Sequence, residues 1–211
     1  MKFEEKRFRL TGLTPLLGSS PMNKEIFSNY IATKGKTPEE KQRGAEDVDD
    51  VVDGMDKVTG FYRDHKTGNI ILKDYQIKGF FKEAGKALKD SIGIGSVVSK
   101  VDNYVFITDR SIALMRDGEP ITDIDDYLER PLRGETAQGP RVSLAKSEMI
   151  NEGWVLEFTV KVLQNKATAK SCALTMSVIE EFLEYGELKG LLQWRNGGYG
   201  SFTFEEIPIE G

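Results

Sequence analysis

A glycine-rich segment between Leu188 and Gly200 carries the residue types best suited to holding a polyanion. It contains four glycines, three of them at Gly197, Gly198 and Gly200. Glycine permits positive φ and close backbone approach, and successive amide groups in such a loop can form an anion-binding concavity. Arg195 adds a guanidinium fork that matches phosphate geometry. The pattern predicts a phosphate-binding loop.

Two aromatic residues of this segment, Trp194 and Tyr199, have two interpretations. Each ring is suited to stacking on a nucleic-acid base. Each is equally suited to filling the core, and for either residue alone we favour packing. Whether the rings bind a ligand therefore stays open at this point.

Lysines follow one side of a predicted helix at residues 76–90. Lys78, Lys82, Lys86 and Lys89 recur at steps of four, four and three, so they share a face. A second face of the helix is apolar, which predicts that it is buried; its members are Ile77, Phe80, Phe81, Ala84, Ala87 and Leu88. The basic face is either a phosphate-contacting surface or an ordinary solvated one.

Other residues that could act in catalysis or metal binding are weaker candidates for a functional site. His65 falls in the turn of a hairpin predicted at 60–73, and we interpret it as an exposed turn residue. An acidic run lies in the polar stretch 22–58, which we interpret as a solvated insertion rather than a metal site; it comprises Glu46, Asp47, Asp49, Asp50, Asp53 and Asp56. Because the chain has one histidine and one cysteine, Cys172, we do not expect a zinc site of the usual Cys/His kind. We expect no metal and no cofactor, and no catalytic residue is identified.

The composition limits the class of protein. The chain has 211 residues, 39% hydrophobic and 30% charged, and a net charge of −5. It has no apolar run long enough for a membrane span and no secretory signal, so we expect a cytoplasmic protein with no membrane partner. A single cysteine fits a reducing compartment. The negative charge means that any nucleic-acid binding depends on a local basic surface.

The elements that must position these residues predict an α+β fold. In order they are a strand at 2–13, the hairpin at 60–73, the helix at 76–90, strands at 103–108 and 111–116, a hairpin of 142–150 and 153–163 turning at 151–153, a helix at 170–186 and a strand at 199–207. The core order βαββαβ is that of a ferredoxin-like (RRM-like) domain, with an antiparallel sheet and two helices on one face. We expect one domain, 1–211, with insertion 22–58 and a central region 117–163, of which 117–140 is an irregular surface loop.

Three segments resemble the RAMP superfamily (repeat-associated mysterious proteins) of CRISPR systems. The segment 194–202 is similar to the glycine-rich loop of that family. The segment 10–18 resembles its first strand, which ends in Thr-Pro-Leu followed by glycine. The segment 75–82 resembles the Lys-Gly start of its first helix, with Lys82 at a position that often holds arginine.

The resemblance implies an RNA-binding domain of the kind that stacks as a backbone subunit along a guide RNA. Carried over by position, the phosphate-contacting residues are Lys78, Gly79, Lys82, Arg195, Asn196, Gly197, Gly198 and Gly200. The implied partners are single-stranded RNA, or else DNA, and further subunits of a stacked or CRISPR-type assembly. A stand-alone relative encoded by a phage or mobile element is also consistent with the resemblance.

Two alternatives remain. One is a protein-interaction or self-assembling subunit that interferes with a CRISPR complex by mimicry, which the net charge of −5 favours. The other is an endoribonuclease on the same fold, using a loop aspartate such as Asp47, Asp49, Asp50 or Asp53, and we expect this less because nothing selects one of them.

Overall fold

The computed structural model describes residues 2–22, 57–136, 139–164 and 174–209, which form an α+β fold with largely antiparallel sheets. The strands are β1 (Lys2–Gly12), β2 (Leu16–Leu17), β3 (Ser20–Pro21), β4 (Lys57–Gly60), β5 (Tyr62–Arg63), β6 (Ile70–Lys73), β7 (Val105–Ile107), β8 (Ser111–Arg116), β9 (Glu119–Pro120), β10 (Asp126–Thr136), β11 (Gly139–Ile150), β12 (Val155–Gln164) and β13 (Phe202–Ile207). The helices are α1 (Asp74–Ala87), α2 (Lys89–Ile92), α3 (Val97–Tyr104) and α4 (Met176–Lys189).

The larger sheet has the strand order β13-β1-β12-β8-β6-β5, with every neighbouring pair antiparallel. Strand β7 pairs with β12 next to β8. In register, Gly12 of β1 faces Phe202 of β13 at one end of the sheet, and Arg7 faces Ile207 toward the other. The glycine-rich segment, which precedes β13, therefore lies at the Gly12 end.

One face of this sheet packs against α1 and α4, because apolar residues alternate along its central strands. Phe8 lies opposite Phe158 in register, and the Phe158 ring contacts Phe81 of α1, which in turn contacts Phe182 of α4. All four are buried. The opposite face is charged: Glu157 accepts hydrogen bonds from Arg7 at 3.0 Å and Arg9 at 2.7 Å.

The predicted hairpin of 142–150 with 153–163 is wrong, because these strands belong to different sheets. Strand β11 pairs with β10 over the whole of 126–136, and β12 pairs with β1 over 2–11. Between them Gly153 adopts φ of +84° and donates its amide to the Gly12 carbonyl at 2.9 Å, which directs the chain into the larger sheet. Strand β11 thus pairs with the strand that precedes it, and β12 pairs with the first strand of the chain.

The expectation of an irregular loop at 117–140 is also wrong. This stretch contains β9 and the 11-residue β10. Strand β10 is the edge of the second sheet, whose order is β10-β11-β4-β3, with β2 also on β11 and the pair β11–β4 parallel. Proline is tolerated in an edge strand because its missing N–H need not cost a ladder bond. Pro131 and Gly134, which indicate a loop in the sequence, therefore lie within the strand and do not end it.

Helix boundaries differ in smaller ways. Residues 97–104 form α3, which leaves only 105–107 of the predicted strand at 103–108. Gly186, expected to end the second long helix, lies inside α4, which continues to Lys189. The hairpin near 60–73 is confirmed as β5 and β6. The burial of Ile77, Phe80 and Phe81 is confirmed, as is that of Met176, Ile179, Phe182 and Leu183. Residues 23–56, with the acidic run, and 170–173 lie outside the described residues.

Candidate nucleic-acid interface

The glycine-rich segment is an irregular, conformationally costly connection between α4 and β13. Helix α4 stops at Gly190, at φ of +84°, and a single 3₁₀ turn spans Arg195–Gly197. Leu192 and Trp194 have φ of +63° and +53°. Such values are rare for bulky residues and cost on the order of 1–3 kcal/mol each. Backbone strain of this kind concentrates in ligand-binding loops.

The amides of the three clustered glycines are engaged inside the protein. Gly197 donates to the Trp194 carbonyl at 2.9 Å, Gly198 to the Arg195 carbonyl at 3.0 Å, and Gly200 to the Pro15 carbonyl at 2.9 Å. The concavity of free amides expected from the glycine spacing is therefore not formed by these three groups. The loop exposes the Asn196 side chain and the backbone of Gly197 and Gly198 to the outside.

Hydrogen bonds join the segment after β1 to the glycine-rich segment. Ser201 donates its amide to the Thr14 hydroxyl at 2.9 Å, and Leu13 donates its amide to the Ser201 carbonyl at 2.8 Å. The Gln193 amide nitrogen, in the orientation that satisfies its neighbours, donates to the Gly18 carbonyl at 2.6 Å. These bonds hold the two loops as one surface.

The beginning of α1 adjoins the same surface. Gln76 donates to the Ser19 hydroxyl at 3.0 Å, and about two turns further along α1 the Glu83 carboxylate pairs with Arg195. The three segments that carry the resemblance, far apart in sequence, therefore meet at one end of the larger sheet. Their meeting was not deducible from the spacing of the motifs.

The lysines and the arginine predicted to contact phosphate lie on two different sides of α1. Lys78 donates to the Asp102 carbonyl at 2.9 Å, and Lys82 pairs with the Asp102 carboxylate at 3.1 Å, so both lie on the α3 side of α1. Arg195 lies on the other side, against Glu83. Gly79 lies between the two sides, and a β-carbon built on it meets nothing within 4 Å. The helix thus presents an open strip flanked by cations.

Trp194 is stacked within the loop rather than buried in the core. Its ring lies 5.1 Å from that of Tyr199, with an interplanar angle of 15°, and it remains 40% exposed. The guanidinium carbon of Arg130, from β10, lies 4.4 Å from the Trp194 ring centroid. Packing as core residues, which we favoured for each aromatic ring alone, is therefore wrong for Trp194, because the strained turn holds the indole at the surface.

Sequence reasoning missed Arg130, Gln193 and Glu83. Arg130 falls in the stretch expected to be a surface loop, yet it is buried, and burial lowers the pKa of its guanidinium from the ordinary value. Gln193 lies beside the Thr59 and Ser147 hydroxyls, at 2.8 and 3.3 Å. The signal in the sequence was that Gln193 lies within the glycine-rich segment and that Glu83 directly follows the segment 75–82.

The remaining candidates stay apart from this surface. His65 is exposed in the β5–β6 turn. In the described part of the chain, three or more His, Cys, Asp or Glu side chains are nowhere grouped so as to hold a metal ion. Among the same residues, no helix combines the length and apolar character needed to span a membrane.

Comparison with known proteins finds similar chains among solved structures. No protein-family model and no curated protein matches the chain. A chain of the type III-B Cmr-beta, solved by cryo-electron microscopy bound to cognate target RNA, is similar with a TM-score of 0.49 and 13% identity. The match covers 99% of the present chain and 60% of that chain, so the present chain spans less than two thirds of its length.

Proposed function

We propose that this protein is a single-stranded nucleic-acid-binding domain, with RNA favoured over DNA, related to the RAMP backbone subunits. The proposed contacts to the phosphates come from the residues implied by the resemblance, through their side chains and exposed backbone rather than through the engaged amides of the three clustered glycines. The ligand would cross the open strip of α1 between Lys78 and Lys82 on one side and Arg195 on the other. On this proposal the chain is one cytoplasmic domain, 1–211, that carries insertion 22–58 and acts without catalysis.

The strand order supports a ferredoxin-like core. Taking β1, β8, β12 and β13 as its four strands, α1 connects the first two and α4 connects the last two. Their order in the sheet, β13-β1-β12-β8, places the first strand between the fourth and the third. This is the arrangement expected of a split βαβ domain, in which both helices cover one face.

One observation carries the function: the three resembling segments form a single surface around a strained loop. A purely structural connection has no evident need for two bulky residues at positive φ. By contrast, the sheet face opposite the helices bears the Arg7–Glu157–Arg9 ion pairs and is a poor platform for stacking bases. The loop end is therefore the better candidate interface.

The test is fluorescence polarisation with labelled single-stranded oligonucleotides at low salt. We expect binding that weakens with salt, because each phosphate contact on a single strand contributes a slope of about −0.7 to log K against log salt. The variant Lys78→Gln/Lys82→Gln/Arg195→Gln should bind more weakly, with a slope smaller in magnitude by about 2.

A matched control removes the same charge elsewhere. The control variant is Lys66→Gln/Arg110→Gln/Lys161→Gln. Lys66 lies on the β5–β6 turn, Arg110 on the β7–β8 turn, and Lys161 on the sheet face opposite the helices. If both triple variants lose affinity equally, binding is non-specific attraction and the proposed interface is wrong. If the unmodified protein does not bind at micromolar concentration, the proposed function is wrong, and light scattering on the same sample tests the self-assembling alternative.

A further inference from the structure

The arginines whose side chains the structure describes follow a rule with one exception. Seven arginine side chains are described, and six of them have a carboxylate within 4.0 Å: Arg7, Arg9, Arg63, Arg110, Arg116 and Arg195. The seventh is Arg130, which is only 8% exposed. A guanidinium stays charged under all ordinary conditions, and a buried charge is normally paired because desolvation is costly. The most buried of these seven arginines therefore lacks the counter-charge that the other six have.

The hydrogen bonds of Arg130 are also incomplete. Its Nη2 donates to the Gln193 amide oxygen at 3.2 Å, whereas Nε and Nη1 are buried and have no hydrogen-bond partner in the described part of the chain. Unsatisfied buried donors are rare in proteins, and each requires an explanation. A bound anion would supply both the counter-charge and the acceptors that these nitrogens lack.

The neighbours of Arg130 indicate which anion would fit. The Trp194 ring lies against the guanidinium, and Tyr199 stacks on Trp194, so an aromatic platform adjoins the unpaired charge. A nucleotide carries both matching parts, a base for the aromatic platform and a phosphate for the guanidinium. A free carboxylate or an apolar ligand would use only one of the two.

We propose that Arg130, Trp194 and Tyr199 form a nucleotide subsite in which Arg130 binds one phosphate of a single-stranded nucleic acid. This rests on the proposed function and adds to it a contact from the second sheet that the resemblance does not include. The unpartnered nitrogens are covered in the free protein, so a phosphate can enter only if a neighbouring side chain moves, and we infer that Trp194, whose ring lies over the guanidinium, is that side chain. Its strained backbone, at φ of +53°, and its 40% exposure favour such a shift.

The experiment compares Arg130→Met with the unmodified protein by oligonucleotide polarisation. Loss of a charge-assisted contact should weaken binding by about tenfold or more and reduce the salt slope by about 0.7. Met fills similar volume without charge, so the free variant should melt at the same or a higher temperature. Arg110→Met is the matched control: that side chain is 90% exposed on the β7–β8 turn, and its loss should change affinity by less than about twofold.

Tryptophan fluorescence gives an independent readout. The chain has two tryptophans, and Trp154 is fully buried. Oligonucleotide binding should therefore change the emission of Trp194, and the change should be absent in Trp194→Phe. Unaltered affinity and salt slope in Arg130→Met, with the unmodified protein still binding RNA, would overturn the subsite and leave the proposed function standing. A fluorescence change that persists in Trp194→Phe would overturn it as well.

Discussion

Glu83 forms an ion pair with Arg195 in the free protein. The carboxylate lies on α1 and the guanidinium on the glycine-rich segment, so their ion pair joins two of the three segments of the candidate interface. A phosphate that binds Arg195 must replace this carboxylate. The exposed ion pair thus opposes ligand binding while it orders the loop.

Replacing Glu83 with Gln should therefore strengthen oligonucleotide binding. An exposed pair is worth up to about 1 kcal/mol, so the gain should reach at most about fivefold, measured by polarisation at low salt. Glu181→Gln, at an exposed position of α4, makes the same change in net charge and serves as the control. Equal affinities for the two variants would show that Glu83 does not compete for Arg195.

At the scale of helices, two glycines lie in opposite surroundings: one is tightly packed and the other is open. Gly186 of α4 faces the Phe80 and Phe202 rings, and a β-carbon built there would lie 2.5 Å from an atom of each. Gly79 of α1 has open space around it. The first glycine allows α4 to approach α1 and β13 closely, whereas the second leaves the helix surface free for a ligand.

The variant Gly186→Ala should destabilise the fold by about 1–3 kcal/mol, because the added methyl overpacks the contact with both phenylalanines. Urea unfolding followed by circular dichroism measures this change. An unchanged midpoint would mean that α4 shifts away at no cost.

Gly79→Ala should have the reverse effect on stability. Alanine in the middle of an exposed helix face is favoured over glycine by about 0.5–1 kcal/mol. If a phosphate approaches the helix at Gly79, the same variant should nevertheless bind the oligonucleotide less well. A more stable variant with undiminished affinity would remove Gly79 from the interface.

Helices and strands could be predicted from the sequence where the spacing of their apolar residues is sufficient to identify them. The apolar spacing of Ile77, Phe80 and Phe81 was enough to place α1 and its buried face. It failed at β10, where Pro131 and Gly134 indicated a loop and so concealed the hairpin partner of β11, and at β12, whose partner β1 lies at the other end of the sequence. The same limit applies to the site, because Arg130 reaches Trp194 only through that second sheet.

At the scale of the whole molecule, a small polar junction connects the two sheets. Asp125, just before β10, accepts two hydrogen bonds from Arg116 of β8, at 2.7 and 3.0 Å. The amide of Asn151, after β11, donates to the same carboxylate at 2.7 Å. The Arg116 guanidinium, and then the Asn151 amide, hold the pKa of Asp125 below its ordinary value of 3.8.

Stability should consequently fall in acid. A carboxyl whose pKa is lowered in the folded state contributes its stabilisation above the ordinary pKa and loses it as the pH drops through the lowered value. Asp125→Asn should therefore cost on the order of 1 kcal/mol at pH 7, with the difference from the unmodified protein shrinking below pH 3.8. Thermal melts across this range measure it, with Asp90→Asn on α2 as control. A difference independent of pH would contradict the assignment.

The antiparallel pairing of β1 with β13 also determines how the domain would respond to force. The outer ends of these strands, near Lys2 and Ile207, lie toward the same end of the sheet, away from Gly12 and Phe202. Tension applied at these two points would load the ladder bonds between β1 and β13 one after another instead of all together. The strand pair would open like a zipper under weak force, and the last pair to separate, Gly12 with Phe202, borders the loop surface.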